Sequence, residues 1–385
     1  MHTNQRFLAL PDFPLGNIAW VQEDLESRGI DVINLGAGDA DLGPPPTVVE
    51  RICQAVRDVS YSRYPFQAGL PSLRQAIAVW MKDRFGVTVD PWKEVLPLIG
   101  SKEGIAHLPF AVLNDGDAAV IPDPSYQAYL GSVTLAGGDP LLMPLRPENN
   151  FLIPITDISG EIGKRTRIVY LNYPNNPTTA VAPDSYFEEV ITYCNDNRVI
   201  LAHDHAYSEL AFDGYRPRSV LEFEGAREVA IEYHSFSKTY NMTGWRLGWA
   251  VGNSDIISML SKVKSFLDTG QFLAIQAAGV EALSSWQDWV PKNVAAFQKR
   301  RDIAAQELRK VGFDILPPPA TMYLWVPIPI QESSVDFAAR ALETEGVVVL
   351  PGRALGKAGE GFFRIALTRT EDRLMEAAQR LGRLL

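Results

Sequence analysis

The sequence predicts an α/β protein in which a mostly parallel sheet, covered by helices, forms a larger domain joined to a smaller α+β domain. Three observations carry this prediction. Short apolar runs recur without the polar alternation of a half-exposed strand, as expected for strands covered on both faces. Helical stretches separate several of these runs, and strand–helix alternation favours a parallel sheet. From Asp255 onward the rhythm changes to long helices that lead into a smaller mixed region.

The elements follow in order. Residues 72–85 predict a helix, because Leu73, Ile77, Trp80, Met81 and Phe85 fall at i, i+4, i+7, i+8 and i+12 and Gly86 stands at the stop position. An apolar strand at 95–99, a helix at 103–113 and a strand at 118–121 come next. Further strands are predicted at 167–171, 199–202, 229–233 and 247–251. Helices at 254–266, 273–283 and 290–310 then precede strands at 323–326, 347–349 and 362–367 and a closing helix at 371–384. The expected division is a large domain over 45–280 and a small one built from 1–44 with 281–385.

Size and charge narrow the class. The chain has 385 residues, two to three domains' worth at about 150 residues each. A hydrophobic content of 46% with 21% charged residues excludes a disordered chain. The net charge of −10 supplies no general field for nucleic acid or an anionic membrane. No run approaches the ~18 apolar residues of a membrane span, and residues 1–15 lack the apolar core of a secretory signal. Cys53 and Cys194 exclude a disulfide scaffold and are expected to be buried free thiols, so a cytoplasmic protein is expected.

In open α/β sheets, ligands bind beyond the carboxyl ends of the strands. Five predicted strands end in polar clusters: Gly100-Ser101-Lys102, Asp123-Pro124-Ser125-Tyr126, Asn172 to Thr178, His203-Asp204-His205-Ala206-Tyr207, and His234-Ser235-Phe236-Ser237-Lys238. Gly100-Ser101-Lys102 at a strand-to-helix junction offers backbone N–H groups and a positive helix end, suited to a phosphate. Ser235 and Ser237 add hydroxyls, and Arg246 adds a guanidinium. A lysine beside fixed cations can act as an amine nucleophile toward a carbonyl, which singles out Lys238. Asp204 can keep a ring nitrogen protonated, Tyr126 is the candidate stacking plate, and Asn176 and Tyr207 are candidate donors to a ring oxygen. Lysine, aspartate, phosphate cup and aromatic plate are together the requirements of pyridoxal 5′-phosphate chemistry.

Ser235-Phe236-Ser237-Lys238 with Gly244-Trp245-Arg246, preceded by Asn175-Asn176-Pro177-Thr178 and Asp204-His205-Ala206-Tyr207, resembles the class I/II, fold-type I aminotransferases. The resemblance runs from Gly36-Ala37-Gly38 to Arg364 and implies a mostly parallel seven-stranded sheet. It implies that Lys238 holds the cofactor covalently and moves the proton between the substrate Cα and C4′. Asp204 would pair with the pyridinium nitrogen, Asn176 and Tyr207 with O3′, and Tyr126 would stack on the ring. Ser101, Lys102 through its backbone N–H, Ser235, Ser237 and Arg246 would hold the phosphate. Tyr64 would reach the phosphate of a neighbouring subunit, implying a homodimer. Arg364 would grip the substrate α-carboxylate, with Gly38 lending a backbone N–H. The family usually reads Asn-Pro-Thr-Gly where this chain has Asn176-Pro177-Thr178-Thr179.

Other motifs fail. Gly36-Ala37-Gly38 lacks the third glycine of a dinucleotide fingerprint, and no GK[ST] phosphate loop exists. His203 and His205 flank Asp204, but strand alternation turns them away from it, which favours packing histidines over metal ligands. Within the family, the stretches around Tyr64, Ser101, Asn176 and Lys238 look most like the LL-diaminopimelate aminotransferase-like group. That implies an L-amino acid with a polar distal end exchanging with 2-oxoglutarate, and Lys102 is placed to meet a distal carboxylate. Relatives put a glutamate near Gln67 for a distal ammonium; the neutral Gln67 leaves aspartate, alanine and aromatic substrates open. A lyase or decarboxylase on the same cofactor stays open too, whereas a regulator's sensor domain is disfavoured by the absence of a basic DNA-binding segment.

Overall fold

The computed structural model describes residues 2–11, 18–66, 68–158 and 160–385. Gln67 and residues 12–17, part of the N-terminal stretch considered above, lie outside them. Among the described residues, twelve strands form three sheets. After β1 (Ile33–Asn34), the large sheet takes β2 (Val95–Leu98), β3 (Ala118–Asp123), β4 (Asp139–Pro144), β5 (Thr166–Leu171), β6 (Ile200–Asp204), β7 (Ala230–Ser235) and β8 (Gly248–Gly252). Their order is β2-β8-β7-β6-β5-β3-β4; β8 runs antiparallel to both neighbours and the other pairs are parallel.

Alternation along each strand divides the side chains between two covered faces. Val169 of β5 and Leu201 of β6 enter one core cluster with Leu73, Ile77, Trp80 and Trp249. Tyr170 and Ala202, one residue on, enter the opposite cluster with Ile105, Leu108, Tyr129 and Tyr233. The same alternation continues to His203 and Asp204 at the end of β6, so these two neighbours serve different faces.

β4 was not among the predicted runs. It sits at the sheet edge, carries two prolines and is exposed or half-buried throughout, so it lacks the apolar signature of its neighbours. The helix predicted at 290–310 begins earlier, as Trp286–Lys310, and runs through Pro291. Proline marks a helix start in sequence, but here the turn preceding it is already helical.

Past the large sheet, β9 (Tyr323–Pro327), β11 (Leu350–Pro351) and β12 (Phe362–Ala366) form an antiparallel sheet, while β10 (Val347–Val348) pairs in parallel with β1. A third cluster, including Phe297, Phe337, Phe363 and Leu381, packs beneath them and takes in Tyr207 and Leu210 from the strand-end loop after β6. Burying each such large side chain contributes about 1.5–3 kcal/mol. Cys194 is buried, which pushes its thiol up to about 12, but Cys53 is exposed, contrary to expectation. Among the described residues, no helix is long and apolar enough to cross a membrane.

Candidate active site

The carboxyl ends of β3, β5, β6 and β7 open onto a cavity of about 260 Å³, closed on the far side by β12 and the segment after β1. Every site residue predicted from the sequence lines it except Tyr64. Tyr64 is 75% exposed and takes no part in this chain's own cavity.

Lys238 lies in the one-turn helix Phe236–Thr239, directly after β7. Its Nζ donates to the Gly38 carbonyl at 2.5 Å. Burial, reinforced by the charges of Arg364 and Arg246, holds the ammonium below its ordinary pKa. Asn293, from the helix Trp286–Lys310, donates to the carbonyls of Lys238 and Thr239 at 3.3 and 3.1 Å and fixes the turn that presents the amine.

Asp204 ends β6. Its Oδ2 accepts the Tyr129 hydroxyl at 2.8 Å, while its Oδ1 is buried and has no hydrogen-bond partner among the described residues. Burial raises its pKa against that hydrogen bond. Asn172 cross-links the neighbouring strand end: its Nδ2 donates to the Asp204 carbonyl at 2.7 Å and its Oδ1 accepts Asn176 N–H at 2.7 Å. Thr179, where the family has glycine, itself takes the left-handed φ of +62°.

Arg364 of β12 is 4% exposed. Its Nη1 donates to Asn176 Oδ1 at 2.8 Å, its Nη2 to the Gly36 carbonyl at 2.7 Å, and its buried Nε has no partner among the described residues. The guanidinium lies 4.1 Å over the Tyr323 ring, whose hydroxyl accepts from Tyr207 at 3.2 Å. A β-carbon on Gly38 would fall 2.1 Å from the Tyr323 hydroxyl oxygen, so this position requires glycine.

The helix Ser101–Val112 starts from Gly100 at φ +74°, and no side chain caps it. A β-carbon on Gly100 would lie 2.6 Å from Arg246 Nη2, so the guanidinium closes tightly over this turn. Free N–H groups, the Ser235 and Ser237 hydroxyls and Arg246 therefore meet at one end of the cavity. Lys102 Nζ stands 5.8 Å from the centre of the Tyr126 ring, and burial beside Asp204 pushes the Tyr126 hydroxyl up to about 12. An orphaned carboxylate oxygen, an uncapped helix start under a guanidinium and a lysine with a depressed pKa fit the ring nitrogen, phosphate and aldehyde of pyridoxal phosphate.

Sequence reasoning missed Tyr129, Asn172, Tyr323 and Asn293. Asn172 and Tyr129 stood within or just beyond the strand-end clusters, so proximity to Tyr126 and Asn176 was an available signal. Nothing in the sequence around Tyr323 or Asn293 announces their reach.

A lysine, a buried aspartate and an anion cup at the strand ends of such a sheet define a fold-type I pyridoxal-phosphate enzyme. The chain belongs to the family aminotransferase class I and II, whose model matches residues 30–381. It is 44% identical to LL-diaminopimelate aminotransferase of Halothermothrix orenii, covering 99% of this chain and 98% of that protein. It is 45% identical to the enzyme of that name from Syntrophobacter fumaroxidans, again covering 99% and 98%. Among solved structures, substrate-bound BacF from Bacillus subtilis superposes with a TM-score of 0.95 at 34% identity, covering 100% of this chain and 98% of that one. The protein is a pyridoxal-phosphate-dependent aminotransferase, with an amino acid and a 2-oxo acid as substrates.

Proposed function

We propose that this enzyme transfers the amino group of LL-diaminopimelate to 2-oxoglutarate, as a cytoplasmic homodimer. The carrying observation is one cavity that brings together Lys238, the unpartnered Oδ1 of Asp204 and the guanidinium of Arg364. The names of the relatives at 44% and 45% identity support the substrate.

In this reading, Arg364 receives the α-carboxylate, with Asn176 and the Gly38 N–H beside it. Pyridoxal phosphate supplies an aldehyde and an electron-accepting ring when bound. Lys238 would hold it covalently, and its amine, when free, would move the proton between the substrate Cα and C4′. The depressed pKa of Lys238 leaves that amine more readily neutral near pH 7. Asp204 would keep the ring nitrogen protonated, Asn176 and Tyr207 would hold O3′, and Tyr126 would stack on the ring. Ser101, the Lys102 N–H, Ser235, Ser237 and Arg246 take the phosphate. The Lys102 ammonium, at the edge of the cavity, supports a substrate with a distal carboxylate.

Exposed large apolar side chains at Val59, Tyr64, Phe66, Phe266 and Phe272 support a second copy seated on this side of the molecule, with Tyr64 serving its phosphate. The division into 45–280 and into 1–44 with 281–385 is supported by the separate core beneath the small sheets.

Loaded enzyme mixed with single amino donors tests the substrate. LL-diaminopimelate should convert the cofactor to its aminated spectrum and 2-oxoglutarate should restore it. Conversion by aspartate, alanine or aromatic amino acids with LL-diaminopimelate silent would overturn the assignment.

A further inference from the structure

Behind the anion cup, outside the cavity, lies a cluster the reaction does not use. Lys264, on the helix Ser254–Leu267, is completely buried. An ammonium removed from water is expensive unless it is paired. Its Nζ donates to Glu103 Oε2 at 2.6 Å and to Asp268 Oδ1 at 2.7 Å. His107 Nδ1 stands 3.0 Å from the other Glu103 oxygen. Glu103 belongs to the first turn of the helix that opens the cup, and its Oε2 also accepts Ile99 N–H at 2.8 Å, bridging the Gly100 turn.

From Asp268 the chain passes through Thr269 and Gly270, both at positive φ, to Gln271. Gln271 Nε2 donates to the Trp245 and Arg246 carbonyls at 2.9 and 2.5 Å, holding the backbone of the arginine that covers the cup. Gln276, buried to 1% exposure, donates to the Gln271 carbonyl at 2.6 Å and accepts Leu70 N–H at 2.7 Å. One strap, residues 268–271, thus ties the Gly100 turn, Arg246 and the backbone following Tyr64.

Charge gives the cluster a further consequence. Glu103 and Asp268 are carboxylates at the rear of a site that would take a dianion, and unneutralised they would oppose it. Lys264 offsets one of those two charges and anchors the strap.

We propose that Lys264 is a positioning residue for cofactor phosphate: through Glu103 and the 268–271 strap it fixes both halves of the cup. The inference rests on the proposed phosphate role of Ser101, Lys102 and Arg246. It concerns the phosphate alone, so its signature is a ratio of affinities, not activity.

The test uses cofactor-free full-length enzyme, titrated by absorbance and intrinsic fluorescence with pyridoxal 5′-phosphate and, separately, with pyridoxal. Wild type should prefer the phosphorylated form strongly. Lys264→Met should weaken pyridoxal phosphate at least about tenfold, the scale of a charge-assisted hydrogen bond, and leave pyridoxal unchanged. Gln271→Ala, at a half-buried position whose loss leaves the buried cluster intact, should shift the ratio in the same direction by a smaller factor. General loosening of the fold would weaken both ligands together. A folded variant of either kind that keeps the wild-type ratio overturns the role of Lys264 and leaves the cup standing. A wild type that binds both forms equally overturns the cup itself.

Discussion

Two buried carboxylates lie on adjacent strands, Asp204 lining the cavity and Glu232 three residues before Ser235, and they are opposite in kind. Glu232 of β7 faces away from the cavity among His203, His205 and His234. Its oxygens accept from Ser219 Oγ and Val220 N–H at 2.8 Å each and lie 3.0 and 2.7 Å from ring nitrogens of His203 and His234. Burial opposes its ionisation, yet the surrounding imidazoles and hydrogen bonds overcome that penalty and hold its carboxyl well below the usual range. His205 is pushed by burial down to about 3 and is neutral at pH 7. Asp204 of β6, on the other face, has one side-chain donor, one orphaned oxygen and a raised pKa. A saturated carboxylate belongs to the fold, whereas an unsaturated one is kept for something that arrives later.

Replacing each carboxylate by its amide tests that division. On the proposed function, Asp204→Asn should cost the largest factor, about 10³ in kcat/KM, because it removes the charge that would stabilise a protonated cofactor ring. The stability effect has the opposite sign. With its folded pKa raised, Asp204 contributes stability below its ordinary value of about 3.9, and this is lost as pH rises through the folded value. At neutral pH the raised pKa makes the buried carboxyl a burden on the cofactor-free fold, so Asp204→Asn should melt at or above the wild-type temperature. A variant that loses activity and melts well below wild type would make Asp204 a structural residue like Glu232.

Glu232→Gln should show the converse, a loss of about 3 kcal/mol in denaturant unfolding at pH 7, with turnover per folded molecule close to wild type. The depressed pKa of Glu232 contributes stability above its unfolded value, lost as pH falls through the folded one. The gap between wild type and variant should therefore narrow below about pH 4.3. Wild-type stability together with a large loss of turnover would erase the distinction.

The same contrast explains what could be read in advance. β5, β6 and β7 were legible because strands covered on both faces spell unbroken apolar runs, whereas β4, half-exposed and proline-bearing, spells none. Lys238, Asp204, Asn176 and Arg246 were legible because loops at strand ends collect polar residues in order along the chain. Tyr64 was reached through family resemblance alone, since its exposed ring acts on nothing in its own cavity. Glu232 reads in sequence as an acid interrupting a strand. Its saturation depends on Ser219 and Val220, brought back by a loop, and on imidazoles from two strands. Tyr129 presented a milder form of the same difficulty, because its hydroxyl reaches Asp204 across 75 residues of sequence.

Tyr129 also gives the comparison its finest test. Glu232 spreads its charge over several donors, so no single one is decisive. Asp204 receives one side-chain hydrogen bond, and this bond works against burial to keep the carboxyl ionised. Tyr129→Phe removes the hydroxyl, leaves the ring packed beside Tyr170 at 5.0 Å between centroids, and forces Asp204 still further toward its protonated form. Cofactor affinity should fall by about tenfold, the scale of one hydrogen bond to a charged group. The acid limb of the pH–affinity profile should move upward, because Asp204 now takes its proton at higher pH. An unshifted acid limb would mean that the ring nitrogen is held by a carboxylate whose charge does not depend on Tyr129. The contrast with Glu232 would then rest on the orphaned Oδ1 alone.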